Sequence, residues 1–387
     1  MTQCNVCQND VKQPVYVSTG NLSITSLCQF YPQKTEVFFC EHCGHLQTTE
    51  ITNLEEYYDT IYKILIDSEE EDQLYKVIDG QKIFRIDHQV KVLLDQVSLP
   101  QQAKILDYGC AKSATLKKLC QTRPDVIPHL FDVSEMYIPF WEKFVKSENW
   151  ATYTIKPHWY GYFDLVTSFF ALEHVANPKE MVENISQLLK PDGLCYLVIP
   201  NVYTNPADFV VVDHVNHFSE TSLRFLLEEE GFDAIDIDAE SHAGAFIVVA
   251  RHSNSNDRKK VILDQQEKVT FCQKKVTEMA VYWQNIAEKI LRFEEEHNNN
   301  LSSAIYGAGF YGAFMASCLK DIGKIECFID RNPYLQGKLL LDKPILDPPH
   351  ISNNIDTIYV ALNPAIAVKS IEQIEFWKDR NFNYFYL

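Results

Sequence analysis

Residues 103–116, which read AKILDYGCAKSATL, decide the fold of this chain. The apolar run at 104–109 has the composition of a buried strand, and it ends in Gly109. The small residues Ala111 and Ser113 continue the turn, and Ser113 is placed to cap a helix that follows. The stretch therefore predicts a strand, a tight turn and a helix, with backbone donors at the turn facing a ligand.

The alternation of strand and helix continues over residues 61–252. Apolar runs predict the strands, and a 3.6-residue apolar period predicts the helices. The predicted strands are 104–109, 127–132, 163–170, 194–200, 234–237 and 245–250, and the predicted helices are 81–98, 113–121, 135–146 and 178–190. Strands joined by crossover helices imply an α/β fold with a doubly wound, parallel sheet and a ligand site at the carboxyl ends of its strands.

Acidic side chains lie at the ends of the first two strands of this sheet. Asp107 precedes Gly109, and Cys110 lies in the turn itself. Asp132 ends the next strand, 23 residues after Gly109, where an acceptor for a ribose diol is expected. A simple turn or cap is the alternative interpretation of Asp132.

Two CxxC pairs open the chain. Cys4 and Cys7 form the first pair, and Cys40 and Cys43 form the second one. Four thiolates complete the tetrahedral shell of a zinc ion and leave no position for a water molecule, so the spacing predicts a structural zinc site and not a catalytic one. Short β-rich runs between the pairs favour a zinc-ribbon-like domain over residues 1–60.

Composition limits the class of protein. The chain has 387 residues, is 46% hydrophobic and has a formal net charge of −18, which disfavours a nucleic-acid partner. It shows no signal peptide and no long apolar stretch, so we expect a cytoplasmic protein with no membrane partner. Its eleven cysteines are interpreted as four zinc ligands and reduced thiols.

The run FDLVTSFFALEHVANP at 163–178, followed by KPDGLCYLVIPN at 190–201, resembles the class I methyltransferases. This resemblance implies S-adenosyl-L-methionine as the cofactor, with Asp107, Gly109, Cys110, Ala111, Ser113, Asp132, Phe169 and Glu173 as its binding residues. It also implies that Glu173 and His174 line the pocket for cofactor and acceptor. A structural role for His174 is the alternative.

The segment VVDHVNHFS at 211–219 resembles the YHEHxxYFS signature of the three-domain nucleotide-sugar C-methyltransferases. That family has a zinc-binding N-terminal domain, a methyltransferase core and a Rossmann-like C-terminal domain. The resemblance matches Asp213 and His214 to the family's Glu-His pair, whereas Val211 and His217 replace its two tyrosines. His214, oriented by Asp213, is the first candidate for a catalytic base, and His217 and His174 follow.

A long apolar helix face and a second glycine-rich turn complete the chain. Residues 269–293 repeat apolar side chains every three or four positions, which predicts a helical connector or a dimer-forming coiled coil. Gly307, Gly309 and Gly312 form GxGxxG, with Asp330 ending the next strand. The predicted segments are 1–60 (zinc-binding), 61–252 (methyltransferase core), 253–300 (connector) and 301–387 (substrate-side, Rossmann-like).

These observations predict a zinc-stabilised S-adenosylmethionine-dependent methyltransferase, monomeric or homodimeric. Its expected acceptor is a small metabolite, a nucleotide-linked keto-sugar or a related secondary metabolite, and its expected reaction is base-assisted C-methylation. O- or N-methylation is the alternative, since positioning alone suffices for a lone pair. The alternatives from other classes are an NAD-binding oxidoreductase, which would use the GxGxxG turn, and an inactive binding module.

Overall fold

The computed structural model describes residues 2–53, 56–62, 72–78, 81–253, 266–297 and 302–387. The chain divides into two compact units. The first comprises Met1–Lys12, Phe39–Asp208 and Val215–Gln273, and the second comprises Gln13–Phe38, Phe209–His214 and Lys274–Leu387. The predicted boundaries near 253 and 300 adjoin or fall in residues outside the described ones, so the four predicted segments stay a prediction.

A seven-stranded sheet forms the centre of the first unit. Its strands are β1 (Lys104–Tyr108), β2 (Ile127–Asp132), β3 (Trp150–Thr152), β4 (Phe163–Phe169), β5 (Leu189–Pro200), β6 (Phe232–Asp238) and β7 (Ala245–His252). The order across the sheet is β3-β2-β1-β4-β5-β7-β6, and only the pairs that involve β7 are antiparallel. This mixed sheet is the core of a class I methyltransferase fold, as predicted. The sequence analysis missed β3, because three residues are too few to show a pattern.

The helices of the first unit agree with prediction in two cases and depart from it in two. The observed helices are α1 (Arg85–Gln96), α2 (Ala114–Thr122), α3 (Ile138–Trp141), α4 (Pro178–Leu188) and α5 (Glu220–Glu229). The predicted helix 81–98 begins later, because Gln81–Phe84 pairs with Leu74–Ile78 as a hairpin. The predicted helix 135–146 is broken, because Pro139 has no N–H to donate to Glu135.

The N-terminal residues 2–48, which include the four paired cysteines, belong partly to the first unit and partly to the second. Contacts within each unit account for this division. Asn5 donates from its backbone N–H to Gln47 Oε1 (2.8 Å) and from Nδ2 to Asn216 Oδ1 (3.0 Å), all within the first unit. In the second unit, Tyr16 packs edge-on against Phe209, with ring centroids 5.6 Å apart. The short strands of this segment are Thr2–Gln3, Asp10–Val11, Pro14–Val17, Ser23–Ile24, Phe30–Tyr31, Glu36–Phe39 and Leu46–Thr48.

The second unit contains a six-stranded sheet. Its strands are β8 (Ser302–Tyr306), β9 (Ile325–Ile329), β10 (Leu339–Leu340), β11 (Lys343–Leu346), β12 (Ile355–Val360) and β13 (Asn383–Tyr386), in the order β10-β11-β9-β8-β12-β13. Its helices are α7 (Phe310–Cys318) and α8 (Pro364–Glu372), and the long helix α6 (Gln266–Glu296) has residues in each unit. Among the described residues, no helix is both long and apolar enough to cross a membrane.

Candidate functional site

The turn between β1 and α2 holds three residues in the left-handed region of backbone space. Gly109 has φ +67°, Ala111 +44° and Ser113 +53°. Such values are uncommon for residues with a Cβ and cost roughly 1–2 kcal/mol each. Ala111 and Ser113 therefore adopt a backbone conformation that glycine adopts without strain.

Asp107 links this turn to β4 through two hydrogen bonds. Its Oδ2 accepts a hydrogen bond from Ser113 Oγ (2.6 Å), and its Oδ1 accepts one from Thr167 Oγ1 on β4 (3.0 Å). The expectation that the Ser113 side chain caps the following helix is wrong, because this hydroxyl donates to Asp107 and makes no cap hydrogen bond. Burial raises the pKa of Asp107 to about 7, against the opposing effect of the two hydroxyls.

Asp132 closes the turn from the side of β2. Its Oδ2 accepts the backbone N–H of Ala111 (2.7 Å), and its Oδ1 accepts that of Ser134 (3.1 Å). A carboxylate has about four lone-pair sites, so it can also accept a hydrogen bond from a ribose hydroxyl. Burial raises the pKa of Asp132 to about 6.

A tryptophan that sequence reasoning did not identify also holds the turn. Trp141, the last residue of α3, donates from Nε1 to the carbonyl oxygen of Ala111 (2.6 Å). The N–H of Ala111 is bound by Asp132 and its C=O by Trp141, so the peptide groups on both sides of this residue are fixed. Cys110 is buried in the same turn.

The end of β4 lies directly against the turn. A Cβ placed on Gly109 would lie 2.8 Å from the Cβ of Ala171, so only glycine fits at this position. Phe169 ends β4, and Phe170 follows with φ +54°. Glu173 lies in a short 3-10 helix, Leu172–His174, and is buried. The predicted pocket residues Phe169 and Glu173 therefore border the strand end that touches the turn.

A cluster of tyrosines surrounds His174. Its Nδ1 lies 2.6 Å from the hydroxyl of Tyr58, and the rings of Tyr58 and Tyr62 lie 5.1 and 5.3 Å from its ring. Tyr58 belongs to a π-helical turn, Tyr57–Ile61, whose Asp59 carbonyl accepts from Ser134 Oγ at the end of β2 (3.2 Å). The segment before the core therefore covers the carboxyl end of the sheet, which the sequence did not indicate.

His217 forms a buried carboxylate–imidazole pair. Its Nδ1 lies 2.8 Å from Asp208 Oδ2, and the side chains are 0% and 2% exposed. Asp208 lies in a 3-10 helix, Pro206–Val210, nine residues before His217 in the chain. It was not among the predicted site residues.

Asp213 joins two segments of the second unit. Its Oδ1 accepts the backbone N–H of Ser26 (2.6 Å), and its Oδ2 accepts the hydroxyl of Ser26 (2.7 Å). The hydrogen bonds found for this fully buried carboxylate anchor the 209–214 segment to the 13–38 segment. The expected role of Asp213 in orienting His214 stays a prediction. The neighbouring His214 is 9% exposed.

The four N-terminal cysteines converge. Cys4 Sγ lies 3.6 Å from Cys43 Sγ, Cys7 Sγ lies 3.5 Å from Cys40 Sγ, and all four sulfur atoms lie within 4.8 Å of one another. Four thiolates at about 2.3 Å from a common centre require separations of this size. The cluster is therefore compatible with a tetrahedral zinc ion.

The GxGxxG turn of the second unit has an internal packing role. Gly307 has φ +113°, and a Cβ there would lie 2.4 Å from the carbonyl oxygen of Ala361. Asp330, at the end of β9, accepts the backbone N–H of Ala308 (2.9 Å) and that of Asn332 (2.8 Å). Close packing of the chain against itself is thus one reason for a glycine at position 307.

Residues 83–237 match a protein family described as "Methyltransferase domain". The C-methyltransferase NovU of Streptomyces niveus is 24% identical to this chain over 217 residues, which are 52% of this chain and 52% of the relative. The chain thus spans about half the length of the curated relative that it matches.

Similar solved structures include an S-adenosylmethionine-dependent methyltransferase from Aquifex aeolicus, at 18% identity and TM-score 0.35, over 42% of this chain and 89% of that one. Another, from Mesorhizobium loti, is 16% identical with TM-score 0.36, over 42% and 97% of the two chains. The family match coincides with the strand order and the turn described above. Residues 83–237 therefore form a class I, S-adenosylmethionine-dependent methyltransferase domain.

Proposed function

We propose that this protein transfers a methyl group from S-adenosylmethionine to a carbon atom of a small keto substrate, with a nucleotide-linked keto-sugar as the preferred class. The observation that carries the first half of this proposal is the β1–α2 turn, in which Gly109, Ala111 and Ser113 all adopt positive φ. Such a turn brings backbone close to a ligand, and Asp132 lies beside it with lone pairs for a ribose.

A carbon acceptor is supported by two observations. The curated relative bears the name of a C-methyltransferase. The segment 211–219 resembles the signature of the nucleotide-sugar C-methyltransferases and keeps a histidine at 214. A carbon next to a ketone must lose its proton before it can take a methyl group, so the reaction needs a base.

The surroundings of the three candidate histidines argue against His217 as the base. The side chain of His217 has no exposed surface, and its Nδ1 is engaged by Asp208, which favours a structural role. His214 and His174 are each 9% exposed, and His174 Nδ1 is engaged by the Tyr58 hydroxyl. We propose His214 as the base because it matches the histidine of the Glu-His pair in the 211–219 signature, and we assign His174 with Tyr58 to the lining of the pocket.

The cysteine cluster is proposed to hold one structural zinc ion. Its donor set of four thiolates leaves no open position, so the ion would stabilise the fold and take no part in methyl transfer. The C-terminal sheet is proposed as the substrate-side domain.

The direct test is a screen of nucleotide-linked keto-sugars with methyl-labelled S-adenosylmethionine. Wild-type protein is expected to add one methyl group, seen as a mass shift of the product, and the α-proton of the substrate is expected to exchange in deuterated buffer. A product methylated on oxygen or nitrogen, without such exchange, would show that the protein only positions a lone pair. That outcome is the runner-up function, and Val211 in place of the family tyrosine is the feature that favours it.

Two histidine variants separate catalysis from folding. His214→Ala is expected to lower turnover about 10²- to 10⁴-fold, the usual contribution of a general base, with nearly unchanged affinity for S-adenosylmethionine. His217→Gln is the matched control, because its amide can still donate to Asp208. Equal loss in both variants, or none in either, would contradict the assignment of His214.

A further inference from the structure

A buried histidine outside the predicted site lacks a partner for one ring nitrogen. His242 lies in the loop between β6 and β7 and is 5% exposed. Its Nδ1 lies 3.1 Å from the carbonyl oxygen of Ala243, which can only accept, so Nδ1 carries the proton. Nε2 is then an acceptor, and it has no hydrogen-bond partner among the described residues. A buried acceptor in this state is costly, which points to a donor supplied by a ligand.

The ring of His242 is held firmly in place. Tyr75 stacks on His88 with ring centroids 3.9 Å apart, and His242 packs edge-on against both at 5.0 and 5.3 Å. The Tyr75 hydroxyl accepts the backbone N–H of Ala243 (2.8 Å), and His88 Nε2 lies 2.9 Å from the carbonyl oxygen of Ser241. The loop on both sides of His242 is thus fixed, which is the arrangement expected of a preorganised binding group.

A cation packs against the same aromatic ring as this histidine and has unused donors. Arg85, the first residue of α1, places its guanidinium 4.0 Å from the ring centroid of Phe170, and the ring of His242 lies 5.7 Å from the same centroid. Of the five guanidinium N–H groups, one on Nη1 donates to Gln73 Oε1 (2.7 Å). In the part of the chain that the structure describes, this is the only hydrogen bond found for that guanidinium.

Arg85 and His242 lie at the same edge of the sheet as the β1–α2 turn. Phe170 directly follows β4 and precedes Ala171, against which Gly109 packs without room for a Cβ. His242 precedes β7, whose Ala245 pairs with Pro200 at the carboxyl end of β5. Arg85 and His242 therefore lie at the edge of the sheet where the ligands of such folds bind.

We propose that His242 Nε2 and the Arg85 guanidinium form an oxygen-binding subsite for the methyl acceptor. The subsite takes a hydroxyl, which donates to His242, next to a carbonyl or anionic oxygen, which accepts from Arg85. This chemistry selects α-hydroxy ketones and their enolates, and it rests on the proposed function only in naming the occupant as the acceptor. Arg85 would also stabilise the negative charge that develops on the ketone oxygen when the α-proton leaves.

Glycolate is a suitable probe, because it carries a hydroxyl next to an anionic oxygen. We expect glycolate, added to the full-length protein saturated with S-adenosylhomocysteine, to shift the imidazole ¹⁵N signals of His242, identified by their absence in His242→Gln. Acetate has no hydroxyl and is expected to bind more weakly. Signals of His242 that do not respond to glycolate would overturn the proposal.

Variants show which atoms matter. His242→Leu is expected to weaken glycolate about tenfold and acetate hardly at all, the effect of one lost hydrogen bond. His242→Gln is expected to keep most of the affinity, since its amide oxygen can accept. Arg85→Gln is expected to weaken both anions. His252→Gln, at the other end of β7, is the control for a general effect of histidine loss.

The outcomes separate this subsite from the proposed reaction. Glycolate affinity that is equal in wild type, His242→Leu and Arg85→Gln would refute the subsite, whatever the methylation screen shows. Glycolate binding that follows the expected order, with no methyl transfer to any nucleotide-linked keto-sugar, would refute the substrate class and leave the subsite standing.

Discussion

Ala111 donates its backbone N–H to Asp132 Oδ2 over 2.7 Å, and this contact joins the β1–α2 turn to the end of β2. It fixes the carboxylate that is proposed to bind the ribose next to the backbone that is proposed to face the rest of the cofactor. Ala111 also adopts φ +44°, a conformation that a residue with a Cβ enters at a cost.

Replacement of Ala111 by glycine is expected to increase the free energy of unfolding by up to about 1 kcal/mol. Glycine relieves the positive φ, and its greater freedom in the unfolded state offsets part of the gain. Ala111→Val is expected to destabilise by more than 1 kcal/mol, because a β-branched side chain is strained at this φ. Denaturant unfolding measures both changes.

The matched control for that series is Ala114→Gly. Ala114 begins α2 and is partly buried, like Ala111, but it has ordinary helical geometry. The same substitution there is expected to destabilise by roughly 0.5–1 kcal/mol. Equal changes at the two positions would contradict the assignment of backbone strain to Ala111.

The cysteine cluster is expected to bind one zinc ion per chain. Cys4→Ser removes one of four thiolates, so purified variant protein should contain little zinc and should unfold at a lower temperature. Elemental analysis and thermal unfolding measure the two effects, with Cys120→Ser as a control outside the cluster. Zinc-free wild-type protein, purified without chelator, would be inconsistent with the assignment.

His129 is expected to make the protein less stable as the pH falls. Burial among aromatic rings lowers its pKa to about 4, whereas the unfolded chain binds this proton near 6.5. Between these values the unfolded state binds more protons than the folded state, so stability is lost as the pH falls through 6.5 towards 4. The loss from this group alone reaches about 3 kcal/mol.

The variant His129→Phe isolates that contribution. Phenylalanine retains the contacts with Trp159 and Phe163 but cannot bind a proton. Its free energy of unfolding should therefore fall less steeply than that of wild type between about pH 6.5 and about pH 4.5. Parallel curves for the two proteins would show that the proton uptake lies elsewhere.

Cofactor affinity is expected to depend on the ionisation of Asp132. Burial raises the pKa of this carboxyl to about 6, and an ionised carboxylate accepts hydroxyl hydrogen bonds more strongly than a neutral acid. S-adenosylmethionine should therefore bind more weakly as the pH falls through 6, by up to about tenfold per pH unit. Calorimetric titration of wild type and Asp132→Asn checks this, because the asparagine variant should lack that dependence.

Local patterns were sufficient to predict six of the seven strands of the sheet but not the hydrogen bonds of the site. Apolar runs gave the positions of β1, β2, β4 and β5, because each strand is buried and its pattern is contained within a few residues. The predicted helix over 135–146 is interrupted at Pro139, whose missing N–H is a local signal against a helix interior. The apolar periodicity of the segment masks that signal.

The contacts that the sequence could not indicate join residues far apart in the chain. Asp213 and Ser26 are separated by 187 positions, so nothing near Asp213 distinguishes an anchor from a catalytic carboxylate. The bond from Ser113 to Asp107 depends on a positive φ at a residue other than glycine, which no propensity predicts. Arg85 and His242 lie far apart in the chain and both pack against Phe170 in the folded structure.

The most direct test of the account is calorimetric titration of S-adenosylmethionine into wild-type protein and Asp132→Ala. One molecule should bind per chain, and the variant should lose roughly 1.5–3 kcal/mol of binding free energy, the range for hydrogen bonds to a charged group. Asp330→Ala, which alters the corresponding carboxylate beside the C-terminal glycine turn, should bind like wild type. Absence of binding to wild type, or affinity lost in Asp330→Ala and kept in Asp132→Ala, would contradict a cofactor site at the β1–α2 turn.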